Sequence, residues 1–485
     1  MPTTSIPMSA PSSSRRRQWL KLAGGTLAGA LGAGSLSSLL LTPAPAWAAD
    51  YKALVCLFLY GGNDGMNMVV PTDATRHAQY AAVRGALALP RRGLVPLGGT
   101  DHGLHPAMSA LAGAWADGGL APVFNVGPLF RPMTQAEYRA AAVSSGSIPD
   151  SLFSHSHQQA LWETASTSSF TRTGWGGRAA EALATANPVI SLEASGRFGL
   201  STLGGPLGLP GPGSHFGLEN LSAEDLTWQP VAARKAALDA IYAQPQSNLL
   251  LDAVSRQHRD SVATADRLGP LIKRLPAEAG AVAAIDRAFA SLTVHGKITA
   301  PLAQQLYQIA KLIAGNATVQ GNRQIFFASL GGFDTHSAQI GSEATRGQHA
   351  ALLKQLADAT AAFYRAMQAL GMGPQVTLFT QSDFGRTFQP NSSSGTDHAW
   401  GNHQLVLGGA VRGSATYGVH PVLVPGGPDD VDDETDECLG RWIPTTSVNQ
   451  YAATLLRWFG ATDAQLDTVL PQLVNFGSRR VLGFL

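Results

Sequence analysis

The chain has 485 residues, which is enough for two or three domains or for one large α/β domain with insertions. Its 34 Lys and Arg residues against 33 Asp and Glu residues leave a formal net charge of +1, so charge gives no reason to expect a nucleic acid partner. Apolar residues make up 45% of the chain, which excludes wholesale disorder, and two cysteines exclude a disulfide-built scaffold or a cysteine-based zinc cluster.

Residues 1–48 are typical of an export signal. Arg16 and Arg17 are followed by Q-W-L-K and then by a weakly hydrophobic stretch over residues 22–41, which is the pattern of a twin-arginine signal. A permanent membrane anchor is the alternative, but an A-W-A cleavage motif ending at Ala48 follows directly. We therefore predict recognition by the twin-arginine translocase, cleavage after Ala48, and a periplasmic or secreted protein without a permanent membrane anchor.

Short apolar runs predict buried strands, and longer stretches with helical periodicity alternate with them. The predicted strands are residues 53–60, 121–126, 188–192, 324–330, 376–380 and 404–407. The predicted helices are residues 158–165, 231–243, 249–268, 277–292, 302–314 and 344–370. This alternation indicates one α/β domain over residues 49–485, in which helices sandwich a mostly parallel sheet. The almost entirely helical stretch from about residue 231 to 314 is predicted to be an insertion.

Polar clusters follow the predicted strands, and ligand groups gather at the carboxyl ends of the strands in a parallel sheet. They read G-G-N-D-G-M-N from residue 61, G-G-F-D-T-H from 331, Q-S-D-F-G-R-T from 381 and G-T-D-H-A-W-G-N-H from 395. Carboxylate oxygens and imidazole nitrogens suit Zn²⁺, Mn²⁺ or related cations. One such cluster alone is weak, because Asp and His beside Gly are common turn residues, but four beside separate strands predict a metal site.

Taken in order with three further motifs, these clusters resemble a known family. The further motifs are S-H-S-H-Q-Q-A-L-W-E-T from residue 154, T-G-W-G-G-R from 173 and W-I-P-T-T-S-V-N-Q-Y from 442. Over essentially the whole mature chain, the sequence is similar to the exported bacterial domain-of-unknown-function family fifteen-oh-one. That family is similar to the alkaline phosphatase and sulfatase superfamily. The resemblance implies an alkaline-phosphatase-like α/β fold with a metal-assisted hydrolytic site.

The resemblance also implies ligands for one or two divalent cations, among Zn²⁺, Mn²⁺, Mg²⁺ and Ca²⁺. Carried over by motif, the metal ligands are Asp64, Asp334, His336, Asp383, and His398 or His403. The superfamily often has Asp-His where this chain has Asp383 and Phe384. A second cation would therefore lack a ligand, unless His398 or His349 fills that place.

A nucleophile at a helix N-terminus is a further implication, because the helix dipole and free N–H groups favour an anionic ester there. Ser154 opens a predicted helix and is the candidate, with Ser156 as a second one and a plain N-cap role for Ser154 as the alternative. His155 or Arg386 would steady the anion. Neither cysteine lies in a C-x-P-S-R motif, so a formylglycine sulfatase is not expected.

Two other features receive simpler interpretations. Residues 429–437 read D-D-V-D-D-E-T-D-E, but they lack the glycine and spacing of an EF-hand loop and are interpreted as a solvated surface loop. Trp162, Trp175 and Trp400 flank the motif loops. They are interpreted as packing residues, and stacking on sugar rings is the alternative.

Three functions are compatible with these patterns. The first is an exported metal-dependent hydrolase of phosphate or sulfate esters, with a small molecule or a polysaccharide as substrate. The second is a transferase of phospho-substituents on extracellular polysaccharide, and the third is a metal-binding envelope protein without catalysis. Phe384 favours the third function, whereas the intact Asp and His set favours the first two. We expect the hydrolase.

Replacing both Arg16 and Arg17 with Lys is expected to leave the precursor in the cytoplasm, because the twin-arginine receptor reads the guanidinium pair. Cell fractionation followed by immunoblotting measures the distribution, and N-terminal sequencing of the wild-type protein locates the cleavage site. Arg15→Lys, outside the pair, is the matched control. Normal export of the double variant, or a mature N-terminus far from Ala49, would contradict the export prediction.

Overall fold

The computed structural model describes residues 50–142, 146–221, 225–245, 247–280, 282–433 and 435–485, and one eight-stranded sheet organises them. Numbered in chain order, its strands are β1 (Lys52–Leu59), β2 (Leu120–Gly127), β3 (Ile190–Ser191), β4 (Leu207–Gly208), β5 (Arg323–Leu330), β6 (Val376–Ser382), β7 (Asn402–Gly408) and β8 (Thr446–Ser447). Their spatial order is β8-β2-β7-β6-β1-β5-β3-β4. The predicted export signal, residues 1–48, lies outside the described residues.

The sheet is mostly parallel, with one reversed strand. β1 pairs in parallel with β5 on one side and with β6 on the other, and all its residues after Lys52 are buried. β7 runs antiparallel to both β6 and β2. The predicted α/β class with a mostly parallel sheet is therefore confirmed. The reversal of β7 was not predicted, because a short run of buried apolar residues carries no information on strand direction.

This reversal brings four chain segments to one edge of the sheet. β1, β5 and β6 end there, whereas β7 begins there. An isolated antiparallel bridge between Arg386 and His398 links the two arms of the connection from β6 to β7. The residues that follow three strands and precede the fourth are therefore neighbours.

Helices cover both faces of the sheet. Those of eight or more residues are Ala74–Arg84, His155–Thr164, Trp175–Ala182, Gln229–Ala243, Leu249–Lys273, Pro301–Ala314, Gln348–Ala369 and Val448–Phe459. Shorter helices are Gly65–Met68, Ala112–Ala116, Gln135–Ala140, Ala283–Ala288, Asn316–Val319 and Asp463–Val469. Two small sheets consist of Val69–Pro71, Val95–Pro96 and His102–Leu104, and of Thr293–Val294 and Lys297–Ile298. Among the described residues, no helix is long and apolar enough to cross a membrane.

Alternate side chains of β1 belong to two different cores, as the two-residue repeat of a strand requires. Val55 lies in the cluster that includes the long helix Gln348–Ala369. Cys56 lies in the cluster on the opposite face, which includes the helix Val448–Phe459. Cys56 is thus a small buried residue, and neither it nor Cys438 is in a disulfide.

The region between β4 and β5 is mostly helical, and one of its helices is shorter than predicted. The periodicity over residues 277–292 predicts one helix, whereas the α-helix covers Ala283–Ala288 and a 3-10 turn covers Ala290–Leu292. Gly280 has a φ of 76°, which a right-handed helix does not accommodate, so the helix begins after it.

Candidate metal centre

The helix His155–Thr164 brings two side chains to the edge where β1, β5 and β6 end. Ser154 occupies its N-cap position, and Ala165 ends it in the left-handed conformation. His155 and Gln159 are one turn apart, so they lie on the same helix face. Both contact the same carboxylate oxygen, Asp383 Oδ2, with His155 Nδ1 at 2.7 Å and Gln159 Nε2 at 2.9 Å.

Three imidazoles and one carboxylate converge at this edge. Among the described residues, His155, Asp334, His336 and His398 form a group in which one ligand atom of each lies within 4.8 Å of the others. Asp334 Oδ1 lies 3.1 Å from His336 Nε2, 3.3 Å from His155 Nε2 and 3.6 Å from His398 Nε2. His336 Nε2 and His398 Nε2 are 2.8 Å apart. The Nε2 atoms of three different segments therefore face one carboxylate oxygen.

Each imidazole is held at its other ring nitrogen by an oxygen atom. The pairs are His155 Nδ1 with Asp383 Oδ2 at 2.7 Å, His336 Nδ1 with Asp397 Oδ1 at 2.6 Å, and His398 Nδ1 with the Phe153 carbonyl oxygen at 2.6 Å. Carboxylate and carbonyl oxygens accept, so Nδ1 is assigned as the donor in each pair. This is the usual support of a histidine that binds a metal through Nε2.

Neighbouring charges set the ionisation of the centre. Burial alone would raise the pKa of Asp334, but the hydrogen bond and the charge of Arg386 outweigh it and lower that pKa. Burial lowers the pKa of His398, whereas the hydrogen bond to Asp383 raises the pKa of His155 against the effect of burial. An ionised carboxylate and a neutral His398 are the states that bind a cation.

Arg386 lies buried beneath the centre and fixes Asp334. Its guanidinium donates to Asp334 Oδ1 at 2.5 Å and to four carbonyl oxygens, those of Gly61, Gly62, Phe333 and Thr396, at 2.6–3.0 Å. The expectation that Arg386 steadies an anionic substrate stays a prediction, and the described contacts of its guanidinium are all within the protein. Its side chain is 0% exposed, and its donors are directed at the protein.

Asp383 reaches the centre as a support for His155. Its carboxylate is fully buried, and both oxygens accept from the Gly61 N–H at 3.2 Å, in addition to the contacts with His155 and Gln159. Asp383 does not belong to the group of His155, Asp334, His336 and His398, and the ligand role carried over to it by motif stays a prediction.

Asp64 forms its hydrogen bonds and its ion pair with residues outside the centre. It is fully buried and caps the short helix Gly65–Met68 by accepting from Asn67 N at 3.3 Å. It also forms a buried ion pair with Arg84 and accepts from Gln339 Nε2 at 2.6 Å. Asp64 does not belong to the group of His155, Asp334, His336 and His398, and its expected ligand role stays a prediction.

His403 belongs to a second, buried histidine cluster. Its Nδ1 accepts from Asn125 N at 3.2 Å, and its ring centroid lies 4.9 Å from Phe124 and 5.0 Å from His420. His102 lies on the other side of His420, at 5.1 Å between ring centroids. Of the two histidines that the motif left open, His398 joins the centre and His403 does not, because His398 lies in the connection that bridges Arg386 whereas His403 lies within the buried strand β7.

Phe384 forms an apolar wall of the centre. Its ring centroid lies 4.6 Å from that of His398 and 4.7 Å from that of His155. His349 does not fill the place of the superfamily's second ligand pair. It is buried elsewhere, with Nε2 3.0 Å from Asn63 Oδ1.

Ser154 pairs with an imidazole of its own helix. Its Oγ lies 3.0 Å from His157 Nδ1, and its side chain makes no capping hydrogen bond. The N-cap alternative is therefore limited to its backbone position. The three tryptophans of the motif loops, Trp162, Trp175 and Trp400, are 0% exposed, which supports the packing interpretation over sugar stacking.

Three supporting groups of the centre received no role from the sequence. Asp397 directly precedes His398 in the quoted motif, so the position of His398 could have pointed to Asp397. Gln159 follows His155 by one helical turn, which was a weaker signal. The Phe153 carbonyl has no sequence signal, because every residue has one.

Comparison with known proteins assigns the chain to a family. The family described as "Protein of unknown function (DUF1501)" matches residues 51–433. The chain belongs to the DUF1501 family. This confirms the family resemblance of the motifs, and the match runs from β1 into the acidic segment 429–433.

Solved structures resemble this DUF1501 protein only distantly. Two of them are titled "Crystal structure of Ps i-CgsB in complex with k-i-k-neocarrahexaose" and "Crystal structure of Ps i-CgsB". Each is 10% identical and covers 88% of this chain and 77% of its own, with TM-scores of 0.33 and 0.32. A likeness at that level supports no argument about function. Comparison with curated proteins gives no match.

Asp64→Asn and His336→Ala are expected to separate stability from metal binding in this DUF1501 protein. Asp64→Asn leaves Arg84 buried without its counter-charge, so we expect the free energy of unfolding to fall by about 3–5 kcal/mol with the Zn²⁺ affinity unchanged. His336 is 43% exposed, so His336→Ala should cost little stability but weaken Zn²⁺ binding at least about tenfold. Denaturant unfolding and Zn²⁺ titration calorimetry measure the two quantities. If Asp64→Asn lost as much Zn²⁺ affinity as His336→Ala, Asp64 would be identified as a ligand.

The second histidine cluster predicts a loss of stability in mild acid. Burial lowers the pKa of His102 to about 4, whereas an unfolded imidazole titrates near pH 6.5. Between those values the unfolded chain binds a proton that the native chain does not, so the free energy of unfolding falls as the pH falls from 6.5 towards about 4. His102→Phe removes this titration and should reduce the slope. Urea unfolding at about pH 7.5 and about pH 5 tests the difference, and equal slopes for variant and wild type would contradict it.

Proposed function

We propose that this DUF1501 protein is an exported hydrolase of phosphate or sulfate esters that depends on one divalent cation. The observation that carries the proposal is the convergence of three imidazole Nε2 atoms on Asp334 Oδ1, with an oxygen atom behind each Nδ1. Imidazole and carboxylate together are the donor set of Zn²⁺ and Mn²⁺ sites. The residues that would hold the cation are His155, Asp334, His336 and His398.

The arrangement of the donor atoms suits a bound cation better than it suits hydrogen bonds among these side chains. His155 Nε2 is buried, and within the described residues it has no hydrogen-bond partner. His336 Nε2 and His398 Nε2 lie 2.8 Å apart, and both carry lone pairs because Nδ1 of each ring is the donor. A positive charge between these nitrogens would remove their repulsion. This fit supports a metal centre over a set of hydrogen-bonded loop residues.

The centre is open on one side. The side chain of Asp334 is 47% exposed and that of His336 is 43% exposed, whereas Phe384 closes the wall against His155 and His398. When bound, a divalent cation supplies Lewis-acid stabilisation to an ester oxygen. The apolar ring in the place of a second ligand pair supports one cation.

Ser154 supplies the proposed nucleophile. Its hydroxyl lies 3.0 Å from His157 Nδ1, and an imidazole at that distance is a base that accepts the hydroxyl proton as the oxygen attacks the phosphorus or sulfur atom of the ester. The bond from that atom to the substrate's alcohol oxygen breaks, the alcohol leaves with the proton from the imidazole, and water then hydrolyses the ester formed on Ser154. The neighbouring residue His155 is one of the proposed ligands. The start of this helix therefore supplies both the proposed nucleophile and one proposed ligand. This arrangement supports hydrolysis over a centre that only binds a cation.

The proposed site of action is the periplasm or the exterior of the cell. Arg16, Arg17 and the cleavage motif before Ala49 support export through the twin-arginine translocase. The substrate is proposed to be a small-molecule or polysaccharide ester, reached through the open side at Asp334 and His336.

An ester panel with added Zn²⁺, Mn²⁺, Mg²⁺ or Ca²⁺ tests this function. Ser154→Ala is expected to lower turnover at least about 10³-fold, because the nucleophile is lost, while metal content stays unchanged. Its free energy of unfolding should fall by no more than about 1 kcal/mol, because Ser154 Oγ makes no capping bond and only its part-buried hydrogen bond with His157 is lost. His336→Ala should lower both turnover and metal content.

Ser156→Ala, in the same turn, is the matched control and is expected to keep its turnover. Loss of turnover in Ser156→Ala alone would move the nucleophile to Ser156. A wild-type protein that binds Zn²⁺ but hydrolyses no phosphate or sulfate ester with any of the four cations would refute the hydrolase.

A further inference from the structure

The carbonyl that orients His398 belongs to a residue in a strained backbone conformation. Phe153 has a φ of 72°, in the left-handed region, where a bulky side chain is rare. Ser151, two residues earlier, is also left-handed, with a φ of 46°. Such conformations persist only where the surroundings impose them, and they collect at functional sites.

The strained residue contributes directly to the centre. The Phe153 carbonyl accepts from His398 Nδ1 at 2.6 Å, across 245 positions of sequence. His155, two residues further on, turns its own imidazole to Asp383 and Asp334. One short segment therefore supplies one candidate ligand with its side chain and orients another with its backbone. The other two candidate imidazoles are oriented by side-chain carboxylates.

The ring of Phe153 contacts a guanidinium and an apolar cluster. The guanidinium of Arg441 lies over it, 5.0 Å from the ring centroid. The ring also packs against an apolar cluster, whose buried members are Leu129, Trp400, Val431, Ile443 and Phe476. These contacts oppose a return of Phe153 to a relaxed φ.

Asp430, in the acidic segment that begins at residue 429, fixes the backbone of the residue that lies over Phe153. Asp430 is 0% exposed, although the segment was interpreted as a solvated loop. Its carboxylate accepts from Gly426 N at 2.9 Å, Gly440 N at 2.8 Å and Arg441 N at 2.8 Å. Asp430 thereby fixes the backbone of Arg441, and Arg441 lies on Phe153.

We infer that Phe153 is a positioning residue of the metal centre: its left-handed backbone, held by Arg441 and Asp430, orients His398 and raises the affinity for the cation. The inference rests on the proposed metal centre. Without that carbonyl, His398 has no acceptor behind Nδ1, so the ring loses both its orientation and the assigned tautomer.

Phe153→Gly and Phe153→Val form a matched pair. Both remove the ring, but only glycine adopts a φ of 72° without strain, whereas a β-branched residue disfavours it. The probe is Co²⁺, because its visible absorption reports the coordination geometry. We expect Phe153→Gly to keep the Co²⁺ Kd within about threefold of wild type, and Phe153→Val to weaken binding about 10–100-fold with an altered spectrum.

A second readout needs no metal. In ¹⁵N–¹H spectra of the metal-free protein, the proton on His398 Nδ1 should be visible in wild type and in Phe153→Gly, and lost in Phe153→Val. Phe153→Ala, with a smaller penalty at positive φ, should give an intermediate result and replaces Phe153→Val if that variant does not fold.

The outcomes separate this inference from the proposed function. Gly and Val variants with equal Co²⁺ affinity and the same His398 proton would overturn the positioning role and leave the metal centre standing. A wild-type protein that binds neither Co²⁺ nor Zn²⁺ would overturn the proposed centre and the effect on affinity with it, whatever the His398 proton shows.

Discussion

A buried guanidinium connects the candidate centre to the sheet. Arg386 donates to carbonyl oxygens of the loops that follow β1 and β5 and of the segment that precedes β7, and it reaches Asp334 as well. A buried cation is costly unless its donors are satisfied, so these loops are held at fixed distances from one another. The approach is close enough to require glycine at Gly61, where φ is 110° and a Cβ would lie 2.4 Å from Asp334 N.

A second arginine–aspartate pair lies nearby and shows the difference between a structural and an accessible carboxylate. Arg84 and Asp64 are both 0% exposed, and Gln339 links Asp64 to Thr396. The partner of Arg386, Asp334, is 47% exposed. An arginine–aspartate pair is therefore fully buried at one position, whereas at the other position its carboxylate is exposed to solvent.

The sequence predicted the sheet and the residue types of the centre more securely than their roles. The mostly buried apolar runs in β1 and β5 are recognisable by their length and composition, whereas the direction of β7 depends on strand pairing. Asp334 and Asp383 both follow strands and look equivalent in sequence. They differ in their partners, because His155 and Gln159, more than 220 positions earlier, donate to Asp383, whereas Arg386 donates to Asp334. Such a difference in surroundings depends on distances between side chains that are remote in sequence, and the spacing of residues along the chain does not reveal it.

The separation in sequence of the groups around His398 has a consequence for the order of assembly. The hydrogen bond from His398 to Phe153 spans 245 positions, and that from His155 to Asp383 spans 228. Contacts of such range form late in folding, since the entropy of closing the intervening chain opposes them until most of the sheet is in place. A partly folded chain thus offers only fragments of the donor set. If the centre binds a cation as proposed, the compartment in which the chain completes its fold determines which cation it acquires.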